Sequence, residues 1–202
     1  MATRVAEKKR AHAPELTVEV AHFYPLQGEW TEEAYFELPE TNEIIELSDG
    51  RLIMPTPPTD FHQTALGTLF FDMTAFVKAN DLGKVQLAPL PVRLWSGKVR
   101  EPDIIFIAKE HSDRIHEQYY DPPDLVVEIT SPSTRRFDRG EKMDEYARAG
   151  IREYWIVDPK ARTIEVFILR EGKYALLGKF GAQDRTRSEV LSGFQVDVSA
   201  VV

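Results

Sequence analysis

The chain of 202 residues contains no cysteine. That excludes disulfides, thiolate-bound zinc and thiol catalysis, and it suits the reducing cytoplasm. No apolar run approaches the ~18–20 residues that a bilayer-spanning helix needs. The first residues, MATRVAEKKRAHAPE, are basic but lack the apolar stretch of a secretory signal, so the expectation is a cytoplasmic protein with no membrane partner. Positive charge is in deficit as well, with 25 Lys and Arg against 33 Asp and Glu and a net charge of −8. This balance argues against coating nucleic acid through a general field and leaves room only for a local basic patch. Internal repeats and low-complexity segments are missing too. What remains, 43% hydrophobic and 29% charged, is ordinary for a globular protein.

Hydrophobic periodicity sets out the elements. Residues 1–16 read as a mobile basic tail and 17–202 as one domain, with a core over about 62–158 and a hairpin extension over 160–202. The spacing predicts a short helix from Thr31 to Leu38, stopped by Pro39. Ser48-Asp49-Gly50 between two apolar runs signals a hairpin. Leu66, Leu69, Phe70, Met73, Phe76 and Val77 recur at helical spacing and place one long helix between His62 and Asn80. Lys84 to Trp95 reads as a strand interrupted at Pro89 and Pro91, hence an edge or a bulge. Ser96-Gly97-Lys98 then turns into a strand holding Asp103. Asp138 and Glu141 have the spacing of a capping box for a helix ending before Gly150, and Met143, Tyr146 and Ala147 form its apolar stripe. Tyr154 to Val157 is a strand of buried type, so Tyr154 and Trp155 read as core. Thr163–Leu169 and Tyr174–Phe180 make a second hairpin, and the C-terminus reads as strand-like and then helical. From His62 onward the order is helix, three strands, helix, strand, an α/β mixed sheet flanked by helices with extra hairpins at both ends.

Two carboxylates stand out against this frame. Asp103-Ile104-Ile105-Phe106-Ile107 and Leu125-Val126-Val127-Glu128-Ile129-Thr130 are strand-length apolar runs that each carry one acid. By alternation Asp103 shares a face with Ile105 and Ile107, and Glu128 with Val126 and Thr130. A carboxylate in such a run is costly to bury unless it is paired or holds a metal. Two on neighbouring strands make the oxygen-rich site that a hard divalent cation prefers. The plainer reading has Asp103 capping a turn and Glu128 in an ion pair with Lys142 or Arg139.

Pro102-Asp103, followed on the next strand by Glu128 and position 130, resembles the PD-(D/E)XK nuclease motif. More narrowly, DGRLIMPTPPTDFHQ, EPDIIF, LVVEITSPST and DRGEKMDEYARAGIREYWIVDP resemble the Uma family, whose members are described as endonucleases and also as a domain of unknown function. The resemblance runs from about Thr31 to the C-terminus. It implies a restriction-endonuclease-like core, DNA as substrate, Mg²⁺ or Mn²⁺ held by Asp103 and Glu128, and the Ile129 carbonyl as a further ligand. The sequence departs from the motif at one point, because Thr130 stands where the motif has lysine. The resemblance implies that this lysine has moved to the following helix, as Lys142.

Around these three residues the reading stays open. Glu46 is either a further carboxylate of the site or an exposed strand glutamate. His62 either lies near the site or touches phosphate, or is a solvated helix-start residue. Tyr146 is core with its hydroxyl near the site. Arg135, Arg136 and Arg139 are either phosphate contacts or a solvated basic helix start. Ser131 and Ser133 shape the loop rather than act as nucleophiles. Beside the nuclease reading stand two others: a nucleic-acid-binding module without catalysis, and a scaffold whose hairpins pair in a homodimer or higher homo-oligomer.

Overall fold

A computed structural model describes residues 24–39 and 41–202. The basic tail expected at residues 1–16, and the ambiguous stretch after it as far as Phe23, lie outside the described residues. The elements are α1 (Glu32–Phe36), β1 (Glu46–Ser48), β2 (Arg51–Ile53), α2 (Asp60–Ala79), β3 (Gly83–Leu87), β4 (Val92–Trp95) and β5 (Lys98–Arg100). They continue with β6 (Ile104–Ala108), a 3₁₀ segment (Lys109–Arg114), β7 (Leu125–Ile129), α3 (Arg135–Asp138) and α4 (Glu141–Arg148). The chain closes with β8 (Glu153–Asp158), β9 (Thr163–Arg170), β10 (Lys173–Gly181) and α5 (Val198–Val201).

The main sheet has six strands in the order β10-β9-β8-β7-β6-β3. Only β7 and β8 run parallel, from Leu125 opposite Glu153 to Ile129 opposite Val157, and the crossover they need is supplied by α3 and α4. Along the chain, α2, then β3, β6 and β7, then α3–α4, then β8 reproduce the expected helix, three strands, helix, strand. Both faces of its central strands β6, β7 and β8 are covered, which is why these read as near-continuous apolar runs. One face packs Ile104, Phe106, Leu125, Val127, Trp155 and Val157 against Leu66, Leu69, Met73 and Val77 of α2. The other packs Ile105, Ile107, Val126, Tyr154 and Ile156 against Tyr146 and Ile151, at and just beyond α4, and against Val92 and Leu94 of β4. Each such side chain taken out of water stabilises the fold by about 1.5–3 kcal/mol.

A second, four-stranded antiparallel sheet runs β2-β1-β5-β4. Its hairpin turns on Asp49 and Gly50, both at positive φ (51° and 75°), the backbone that a two-residue turn of this hand requires. The Gly50 carbonyl accepts the Gly28 and Trp30 N–H groups at 2.7 and 3.0 Å. A Cβ on Gly50 would stand 2.5 Å from the Gly28 oxygen, so this close approach needs glycine.

Three expectations are corrected. The strand predicted over Lys84–Trp95 is two strands in different sheets. β3 is an edge of the main sheet and β4 an edge of the second, with Pro89 and Pro91 in the crossing where no ladder donor is needed. The strand predicted from Lys98 through Asp103 likewise breaks at Glu101-Pro102-Asp103, so Asp103 sits just ahead of β6. The strand-like C-terminal run forms turns and one isolated bridge, Arg185 to Asp197, before α5.

Candidate active site

Antiparallel pairing puts Ile104 opposite Val127, so the chain delivers Asp103 beside the end of β7 where Glu128 sits. The connection is direct, because Asp103 Oδ2 accepts the Ile129 backbone N–H at 2.6 Å. Asp103 Oδ1 faces His62 Nε2 at 3.2 Å. His62 reaches it from the first turn of α2, whose N-cap Thr59 accepts the His62 N–H. Of the two acids, Asp103 is thus the one that His62 touches.

Helix α4 carries the lysine. Lys142, Glu145 and Tyr146 are its buried residues, at i, i+3 and i+4 on one face. Lys142 Nζ lies 2.8 Å from Glu128 Oε1, and the Tyr146 hydroxyl donates to the same oxygen at 2.6 Å. Both bonds fall on Oε1. Glu46 is buried, which removes the reading of an exposed strand glutamate, and its Oε1 stands 3.3 Å from Lys142.

The expected capping box is absent. Gly140 is the N-cap of α4 and makes no side-chain cap bond. Asp138 instead ends α3 and is buried, with its carbonyl taken by the Tyr154 hydroxyl at 3.0 Å. Sequence reasoning missed Asp138 as a site carboxylate because its spacing to Glu141 had a simpler local use. It also missed Arg100, which is fully buried. Arg100 binds Glu46 through Nη1 at 2.9 Å, Glu145 through Nε and Nη2 at 2.8 and 2.9 Å, and Glu141 through Nη2 at 2.9 Å. Lys98 adds a further contact to Glu145 at 2.8 Å. A signal was available, since Lys98 and Arg100 alternate with Val99 on a strand that leads into the acidic stretch.

Electrostatics at the cluster are one-sided. Burial pushes the Glu128 carboxyl up to about 8, with the neighbouring Asp138 and Asp103 adding to it against the pull of Lys142. Burial and the same crowd raise Asp138. For Lys142 burial works towards neutrality, but Glu128, Glu46 and Asp138 outweigh it and hold the ammonium charged. Glu46 shows the converse, with burial overcome by Lys142 and Arg100 so that it stays ionised. His62 is raised, its bond to Asp103 prevailing over burial.

Among the described residues no three His, Asp or Glu side chains converge as a ready cation cage. Asp103, just ahead of β6, and Glu128 of β7 nevertheless form the small oxygen donor set that suits an ion of the Mg²⁺ kind, which keeps several waters and takes few protein ligands.

The arginines divide. Arg139 is paired with Glu165, and Arg135 reaches Asp158 at 3.2 Å. Arg136 is exposed and has no ion pair among the described residues. Ser131 and Ser133 bond to one another at 2.8 Å, Ser131 bonds to Thr134, and Ser133 meets Thr56 at 3.3 Å, so the loop is tied together as expected. Tyr154 and Trp155 are core, as read.

Residues 32–199 match the model of the Uma2 family, described as "Putative restriction endonuclease". The chain belongs to that family. Over 99 residues it is 31% identical to an uncharacterized protein of Synechocystis sp., a stretch covering 48% of this chain and 52% of the relative, so the chain spans about half the length of that relative. A crystal structure from Anabaena variabilis, titled a putative nuclease belonging to DUF820, superposes with a TM-score of 0.70 at 17% identity. The match covers 85% of this chain and 97% of that one. The Uma2 chain thus has the restriction-endonuclease-like fold. No helix of the described residues is long and apolar enough to cross a membrane.

Proposed function

We propose that the chain is a divalent-metal-dependent endonuclease that hydrolyses DNA phosphodiester bonds. The observation that carries this reading is the meeting of Asp103, Glu128 and Lys142 at the join of β6, β7 and α4, with Lys142 2.8 Å from Glu128. Asp103 and Glu128, with the Ile129 carbonyl, would hold Mg²⁺ or Mn²⁺. When bound, such an ion lowers the pKa of a coordinated water and neutralises charge on the scissile phosphate. Lys142 is held charged, so it does not take the proton of the attacking water; it donates hydrogen bonds and stabilises charge as the P–O bond breaks. Tyr146 keeps the Glu128 carboxylate oriented. Membership of the Uma2 family supports the same chemistry.

The test is cleavage of supercoiled plasmid and single-stranded DNA with Mg²⁺ or Mn²⁺, comparing the natural protein with Glu128→Gln. Metal-dependent cutting that disappears in the variant supports the reading. Equal cutting in both places the activity elsewhere, and no cutting in either moves the function to DNA binding or scaffolding on the same fold.

A further inference from the structure

We infer that Arg100 is a positioning residue which, by neutralising Glu46, reserves the Lys142 ammonium for Glu128 and the substrate side of the centre. Lys142 lies between two buried carboxylates, at 2.8 Å from Glu128 and 3.3 Å from Glu46. With equal claims, the shared ammonium would be divided between them. The claims are not equal, because Glu46 is already provided for: its Oε2 takes Arg100 Nη1 at 2.9 Å and its Oε1 takes the Glu101 N–H at 3.2 Å. Glu128 has no arginine of its own among the described residues, only Lys142 and the Tyr146 hydroxyl. Glu46 is thus a counter-charge shared between two cations and not an open metal ligand.

The geometry makes Arg100 fit for this and a lysine unfit. Its planar fork spends Nε and Nη2 on the two oxygens of Glu145, which fixes the plane and aims Nη1 at Glu46. Glu145 stands three residues after Lys142 on the same buried face of α4. One side chain of β5 therefore sets both the helix that carries the lysine and the acid that competes for it. The position of the displaced lysine is fixed from the second sheet.

The activity arm of the test rests on the nuclease reading above; a spectroscopic arm does not. The variants are Arg100→Met and the charge-balanced pair Arg100→Met with Glu46→Gln, in which Glu145 keeps Lys98. The ¹H–¹⁵N signal of the Lys142 ammonium, assigned by its loss in Lys142→Arg, reports the lysine's partner. In Arg100→Met this signal should move as Lys142 turns towards Glu46, and cleavage should fall about 10- to 100-fold in kcat with little change in KM. In the pair, the signal and most of the activity should return. An unmoved signal in Arg100→Met overturns the inference, as does a pair that stays displaced and inactive while folded. Should Arg100→Met alone fail to fold, the pair against the natural protein decides by the same criterion. If the natural protein cuts no DNA with either metal, the nuclease reading falls, and the ammonium signal alone decides what Arg100 does.

Discussion

Asp103 and Ile129 are joined by a hydrogen bond of 2.6 Å, from the backbone N–H at the end of β7 to the carboxylate just ahead of β6. One oxygen of the acid thus fixes the strand next to Glu128 while the other faces His62. Asp103→Asn keeps an acceptor for Ile129 and should leave stability close to that of the natural protein while abolishing divalent-metal binding. Asp103→Ala leaves a buried N–H unsatisfied and should cost about 1–3 kcal/mol in addition. Urea unfolding with Mn²⁺ titration separates the two effects. Equal loss of stability in both variants would show that the hydrogen bond does not hold the strands.

Lys142 is the shared counter-charge of two buried acids, so Lys142→Met should destabilise by about 3–5 kcal/mol. A divalent ion can replace the missing charge. Millimolar Mn²⁺ should therefore raise the melting temperature of Lys142→Met by more than that of the natural protein. A smaller or equal rise would mean that the ion does not sit against these acids.

Glu165 is held below the ordinary carboxylate range: burial pushes it up, but Lys179 and Arg139 outweigh that. A lowered carboxyl contributes its full stability above its unfolded pKa and loses it as pH falls through the lower folded value. Glu165→Gln should therefore melt below the natural protein at neutral pH, by about 1 kcal/mol, with the gap closing below pH about 4. Thermal melts across pH 3 to 8 check this, and a gap that widens in acid would contradict it. Arg139→Ala should reproduce the neutral-pH loss, marking Arg139 as a fold-stabilising partner first.

Arg136 is the arginine of the basic cluster left exposed without an ion pair among the described residues. Arg136→Ala should leave stability within about 0.5 kcal/mol. It should weaken DNA binding evenly across sequences and reduce the slope of log affinity against log salt by about one. Fluorescence anisotropy at several salt concentrations measures both, and an unchanged slope would take Arg136 off the phosphate path.

The centre of the main sheet was legible because β6, β7 and β8 are buried on both sides and announce themselves as apolar runs, as in Leu125–Ile129 and Tyr154–Val157. Of the second sheet only the β1–β2 hairpin was legible, through its Asp49-Gly50 turn; the rest was not, because three of the four strands have only three residues and the pairing that extends the hairpin is long-range, Leu47 to Val99. Asp103 and Glu128 stood out as acids in apolar surroundings. Asp138, Glu145 and Arg100 did not, since each sits in a polar stretch where charge usually means solvent. A helix face reading Lys142, Glu145, Tyr146 looks outward by composition and is turned inward only by partners on distant strands. Thr130 marked the missing motif lysine and the family resemblance pointed to Lys142, which the packing of α4 brings to Glu128.

The second sheet also governs when the centre can exist during folding. Its β1 and β2 precede the core, and its β4 and β5 interrupt the core between two strands that pair with each other, β3 and β6. Glu46, Arg100, Asp103, Glu128 and Lys142 therefore meet only after several long loops have closed, and contacts of that range form slowly. A chain still emerging from the ribosome, or stalled half-folded, carries these acids apart from one another. Any hydrolytic power the centre has is withheld until the last of its layers has docked.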